Sequence, residues 1–267
     1  MHYWCTRLAK INYLFGFLIA LLLIFIHIGV EMLPKIQYLD GISLINLPST
    51  TWIGADYNGL YATLFYLLLP LYSALGANLI IFEDKEKGYF LRYVQKKSIF
   101  NYSIITFSIS FISGFLISFI PLGINIIIAI GLFPNIQPDI ILNSNLGVNG
   151  NTTYFSSLFF SNNYLLIFIY IIMSGSMSAL FSCISATVSL YTKNIYSAIS
   201  SGFLIVLLLT ILSYLFPSII YSPVFILIEL SPVYKLPAFS IVIFSYCILL
   251  CLCFYTFIRG VKKNAII

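Results

Sequence analysis

The chain has 267 residues, of which 61% are hydrophobic and 8% charged, against about 25% charged in an ordinary soluble domain. A mean hydropathy of +1.03 excludes a water-soluble globule, which needs more charge at its surface, and a disordered chain, which would be polar. The net charge of +5 comes from scattered Lys and Arg rather than one stripe, so nucleic acid is not an expected partner. What remains is an all-α integral membrane protein, a single transmembrane domain over residues 1–267 in contact with the lipid bilayer.

A membrane helix needs about 20 largely apolar residues to cross a ~30 Å hydrocarbon core. The gaps between charges supply them. The first lies between Lys10 and Glu31 and predicts a span over 11–30. Before it, Tyr3, Trp4, Arg7 and Lys10 suit the headgroup interface. The apolar run is long for a signal core and has no small-residue cleavage site before Glu31, so it reads as a retained helix. His27 lies about one turn from Glu31 and is expected to form a surface pair with it near the outer end. The second span is expected at 58–82 and the third at 99–132, closed by a turn-rich stretch from Phe133 to Pro138. Residues 143–163, rich in Asn, Ser, Thr and Gly, read as a loop. Further spans are expected at 163–190, 196–216 and 238–258. Strands are a poor alternative, because runs such as 18–24 and 204–209 do not alternate, and helices satisfy their own backbone in lipid.

Six spans put both termini on one side. With the N-terminus inside, eleven of the 13 Lys and Arg lie inside, leaving only Lys35 and Lys235 outside. That bias predicts cytoplasmic termini.

Residues 83–98 are the one charge-dense segment, with Glu83, Asp84 and Glu86 first and Arg92, Lys96 and Lys97 last, the order a helix dipole favours. It reads as a solvated loop or as a short amphipathic helix. Tyr89, Phe90 and Tyr93 among the charges favour a helix that docks on a cytoplasmic partner. Residues 217–237 contain Pro217, Pro223, Pro232 and Pro237 around an apolar stretch, Val224 to Ile228. This is an ordinary proline-rich loop or a re-entrant hairpin on the outer side, with Glu229 near the outer surface.

Along the third span Ser103, Thr106, Ser110 and Ser113 recur at steps of 3, 4 and 3, followed by Asn125. The stripe is a candidate substrate path. The fourth carries Gly175, Ala179, Cys183 and Thr187 at four-residue steps, and the fifth opens with Ser197, Ser201 and Gly202. Small residues at that spacing let helices approach closely. They suit tight packing or a moving interface. Tyr61, Phe65, Tyr66 and Tyr72 either pack or coat an amphipathic substrate. The five cysteines are too few and too scattered for a metal site and read as packing residues.

None of the eight acids falls in mid-span, where ion-coupled carriers usually keep one. There is no phosphate-binding loop and no metalloprotease motif. An enzyme is not expected, no cofactor is expected in this chain, and uphill transport would draw its energy from a separate subunit.

In this arrangement the chain resembles the ABC type-2 exporter permeases. The run from Phe82 through Glu83, Glu86 and Gly88 to Gln95 and Ser98 is similar to that family's acidic pair, glycine, short hydrophobic stretch and basic end before the third helix. The family's late proline is replaced here by Val94, Gln95 and Lys96. The resemblance implies that Glu83, Asp84, Glu86, Gly88, Tyr89, Phe90, Arg92 and Tyr93 form a coupling helix against an ATPase. It implies a homodimer or heterodimer of such chains above two ABC ATPase subunits that hold ATP and Mg, in a bacterial cell membrane. It further implies an amphipathic peptide cargo, a bacteriocin or cytolytic toxin whose export also protects the producer. The rival readings are a secondary carrier and a membrane immunity protein that binds a peptide without moving it.

Overall fold

The computed structural model describes residues 14–39, 46–55, 59–76, 79–86, 88, 98–141, 143, 146–217, 219–231 and 235–266, and among them every regular element is helical. Helix α1 (Phe15–His27) passes through a π turn (Ile28–Met32) into α2 (Leu33–Ile36). The turn widens just before Pro34, which has no N–H to return to the carbonyl one turn back. Next come α3 (Pro48–Thr51), a 3-10 turn (Ile53–Ala55), α4 (Leu60–Ala74) and α5 (Leu79–Glu86). Helix α6 (Ile99–Leu132) starts where the Ser98 hydroxyl accepts the Asn101 N–H at 3.2 Å. After α7 (Ser156–Ser161), α8 (Asn163–Tyr191) is capped by Asn162, and α9 (Ile195–Leu215) by Asn194. The short α10 (Pro223–Leu227) and the long α11 (Phe239–Ile266) complete the chain.

Among the described residues five stretches are long and apolar enough to cross a membrane: Phe15–Ile36, Ile99–Leu132, Asn163–Tyr191, Ile195–Leu215 and Phe239–Ala265. The expected second span, 58–82, is not one helix. It breaks between Ala74 and Leu79, and the 15 residues of α4 reach about 22 Å, short of a ~30 Å core. The first helix continues beyond residue 30 to Ile36, and the last runs on to Ile266. The expected loop at 143–163 contains α7.

Large apolar residues point outward from the bundle. Leu18, Leu22 and Phe25 of α1, Leu204, Leu208 and Ile211 of α9, and Phe244, Leu249 and Leu252 of α11 are exposed. Small and weakly polar residues face inward, among them Ser103, Ser110, Gly114, Ser178, Ala179 and Ser182. Beside them the interior buries aromatics such as Phe65, Tyr170 and Phe257, and the oily outer face suits a lipid environment, where close packing rather than water exclusion joins helices.

The most extensive pairing is between α6 and α8. At Gly114 a Cβ would stand 2.5 Å from Ser182 Cβ and 2.9 Å from the Ser178 carbonyl oxygen, so only glycine permits this approach. Ser178 Oγ donates to the Gly114 carbonyl at 2.6 Å across the seam.

At one end of the bundle, here called the capped end, three loops are stitched by backbone bonds. The Glu229 N–H donates to Gly54 at 2.8 Å, Ser231 to Thr152 at 3.2 Å and Leu236 to Asn151 at 2.7 Å. Tyr154 adds a bond from its hydroxyl to the Pro237 carbonyl at 3.0 Å. These partners satisfy backbone groups of the irregular chain that follows α10. The opposite, basic end carries Lys85, Lys193, Arg259, Lys262 and Lys263.

Candidate functional site

The capped end encloses a chain of buried polar groups drawn from four segments. Residues 47–55 begin with a local clasp, in which the Leu47 N–H donates to Thr50 Oγ1 at 3.0 Å and Thr51 Oγ1 donates to the Leu47 carbonyl at 2.8 Å. The clasp sets Trp52 pointing inward. Its ring lies over Gly54, where a Cβ would fall 2.3 Å from the indole. Trp52 Nε1–H donates to Glu229 Oε2 at 2.8 Å. The other oxygen, Oε1, is buried and has no hydrogen-bond partner among the described residues.

One residue further, the Ile53 N–H donates to Asn125 Oδ1 at 2.8 Å. That leaves Asn125 Nδ2 to donate, 3.2 Å from His27 Nδ1 and, weakly, 3.8 Å from Met32 Sδ. His27 Nδ1 is therefore the acceptor, and His27 Nε2 is buried without a partner. Tyr61 meets the imidazole edge-on at 5.9 Å. Four fully buried side chains thus line up in the order Glu229, Trp52, Asn125 and His27.

Two expectations are corrected here. His27 does not form a surface pair with Glu31; it is buried against α6, while Glu31 reaches Lys35 at 3.8 Å. Glu229 does not sit at the surface but is fully buried. Burial pushes its carboxyl up from the usual 4.5 to about 8, against a smaller downward pull from the Trp52 N–H.

The basic end holds a second constellation. Tyr102 OH donates to Asp84 Oδ2 at 3.1 Å. Lys85 Nζ donates to the Leu190 carbonyl at 3.0 Å and the Thr192 carbonyl at 3.4 Å. Asn264 Nδ2 also donates to Leu190, at 3.0 Å. The end of α5 is thereby tied to the start of α6 and the end of α8, and α11 joins at the same carbonyl. Burial and then the nearby Lys193 lower the Lys85 pKa.

Of the residues expected in the coupling segment, Glu83, Asp84 and Glu86 end α5, and Gly88 follows in a turn at φ +67°. Tyr89, Phe90, Arg92 and Tyr93 lie outside the described residues, as does the N-terminal interfacial segment 1–10.

In the third-helix stripe, Ser103 and Thr106 are buried and return hydrogen bonds to Ile99 and Tyr102 within α6. Ser110 Oγ is buried without a partner, and Ser113 donates to the Ser110 carbonyl. Asn125 alone of the set bridges separate segments. Gly175 lies under the Phe115 ring, Ala179 faces Gly114, and Gly202 faces Pro70 and Phe181. Thr187 Oγ1 is 3.1 Å from Cys253 Sγ and joins α8 to α11, whereas Cys183 is buried, Ser201 is half-buried and Ser197 is exposed.

Trp52 gave no sequence signal beyond its rarity, as one of two tryptophans. Glu229 did carry one, as a lone acid at the end of an apolar run. Among the described residues no three His, Cys, Asp or Glu side chains gather as metal ligands. Compared with protein-family models, curated proteins and solved structures, the chain matches none.

Proposed function

We propose that this chain is the transmembrane subunit of an ATP-driven exporter of the ABC type-2 kind, moving a hydrophobic or amphipathic peptide out of a bacterial cell. In this reading the broken α4–α5 unit is the second of six spans, residues 83–98 are the coupling helix, and the stitched 217–237 segment is re-entrant on the outer side. Both termini are cytoplasmic. A second such chain and two ABC ATPase subunits with ATP and Mg complete the complex.

The observation that supports it most is the bracket at the basic end. A push on the segment following α5 meets Asp84 and Lys85, which grip α6 through Tyr102 and α8 through Leu190. Movement there reaches the two most extensively paired helices directly. A solvated linker has no need of such a grip.

The test is to isolate the tagged chain from its own membranes and measure ATP binding by the proteins that accompany it. Tyr89, Phe90 and Tyr93 replaced together by Ala should lose the ATP-binding partner. Purified chain that pumps a solute uphill in vesicles without nucleotide would defeat the reading.

One observation favours a second reading, a secondary carrier. Glu229 is a buried carboxyl with a free oxygen, the kind of group that proton-coupled carriers use. Transport that follows a proton gradient and ignores ATP would select it.

A further inference from the structure

We propose that Glu229 is a proton-binding site, and that the proton it holds fastens residues 222–231 against the 47–55 loop at the capped end. The inference holds for either source of driving force.

The geometry carries it. Glu229 is fully buried; among the described residues one oxygen takes a single neutral donor, from Trp52, and the other takes none. A buried carboxylate ordinarily collects several donors or a cation, and without them it keeps its proton. The groups that face it are Trp52 from the 47–55 loop, Tyr66 from α4 and Tyr170 from α8. Both are phenols and bring no charge opposite the carboxyl at neutral pH. The next titratable group is His27, reached through Ile53 and Asn125. Among the described residues no Lys or Arg pairs with it.

The same residue is also a structural joint. Its own N–H is held by Gly54, and Val224 to Ile228 before it are buried. Ionising the side chain puts an uncompensated charge inside that joint. The direct relief is for the segment to lift and let water reach the carboxylate. On docking, Oε1 takes up one proton from solvent; on release that proton returns to water and the carboxylate is hydrated.

The sign follows from the raised carboxyl. Docking is fully favoured below about pH 4.5, weakens as pH climbs through about 8, and is weakest above that.

Trp52 supplies a local probe. In a Trp4→Phe protein, Trp52 is the sole tryptophan, and its fluorescence in lipid nanodiscs should show a transition near pH 8. The transition should vanish when Glu229→Gln is added. Amide exchange at residues 229, 231 and 236 should match between wild type and Glu229→Gln at about pH 4 and run faster in wild type at about pH 9. An unchanged transition in the Gln variant, or an exchange ratio that stays flat, would overturn the proposal. So would a midpoint that moves when sodium replaces potassium, which would indicate a metal cation. Should the Gln variant not fold, the infrared band of a protonated carboxyl in the Trp4→Phe protein decides. Its loss across the fluorescence transition supports the proposal, and its absence at about pH 6 overturns it.

Discussion

Trp52 and Glu229 stand 177 positions apart and meet inside the bundle through one 2.8 Å hydrogen bond. This bond and the backbone bond from Glu229 to Gly54 join the same two segments. One is made to an ionisable side chain; the other is made by the backbone alone.

Trp52→Phe separates them. It removes the indole donor to the carboxyl and keeps most of the apolar volume. Because that donor pulls the Glu229 pKa down, its loss should move the carboxyl's titration above pH 8. The protein should also lose stability, by about 1–3 kcal/mol once the carboxyl ionises. Infrared titration of the carboxyl band checks the first effect. Thermal unfolding by circular dichroism, compared on either side of the titration, checks the second.

Asn125→Leu tests the middle of the polar chain. The substitution strands the Ile53 N–H and His27 Nδ1, and each buried orphan costs about 1–3 kcal/mol. Ser113→Ala is the contrast, since Ser113 Oγ bonds only a carbonyl of its own helix and should shift stability by no more than about 0.5 kcal/mol. Denaturant titrations of the two variants in the same detergent would show the gap. Equal losses would mean that Asn125 holds nothing together.

The long helices were legible because lipid forbids charge, so gaps between charges mark spans. The rest depended on relationships that run length does not record. The Glu31 pairing of His27 assumed ordinary helical spacing, but residues 28–32 form a π turn that rotates the two side chains apart. In the apolar run from Leu60 to Phe82 only Gly76 and Asn78 mark the break after Ala74, and counting the gap between charges passes over them. The stripe from Ser103 to Ser113 has the spacing of a path and of a packing seam alike. The partner surface on α8 could not be read from α6 alone. Asn125 stood out as polar in an apolar helix; its partners, Ile53 and His27, came from loops and helices far off in sequence.

Gly114→Ala probes that seam. The added methyl meets Ser182 Cβ and the backbone of Ser178 and Ala179, contacts that cannot yield without moving a helix. Overpacking of this kind costs about 1–3 kcal/mol. Ser178→Ala leaves the approach intact and removes only the bond to the Gly114 carbonyl, worth about 0.6 kcal/mol and at most roughly 1.7 in lipid. The glycine variant should therefore be the more damaging of the two in thermal unfolding. The reverse order would mean that the hydrogen bond, rather than closeness, joins α6 to α8.

Lys85→Met and Asn264→Leu address the basic end. Both side chains donate to the Leu190 carbonyl, so either substitution alone leaves that oxygen with one side-chain partner. Each should raise amide exchange modestly over residues 190–194. Together they strand the carbonyl at the end of α8, and the combined loss should exceed the sum of the single losses by about 0.5–3 kcal/mol in a double-mutant cycle. Lys85→Met has a further consequence if residues 83–98 receive the stroke of an ATPase. Hydrolysis should continue while transport falls, because the segment would still be pushed but would no longer grip α8. A variant in which hydrolysis and transport fall together would place Lys85 in partner binding instead.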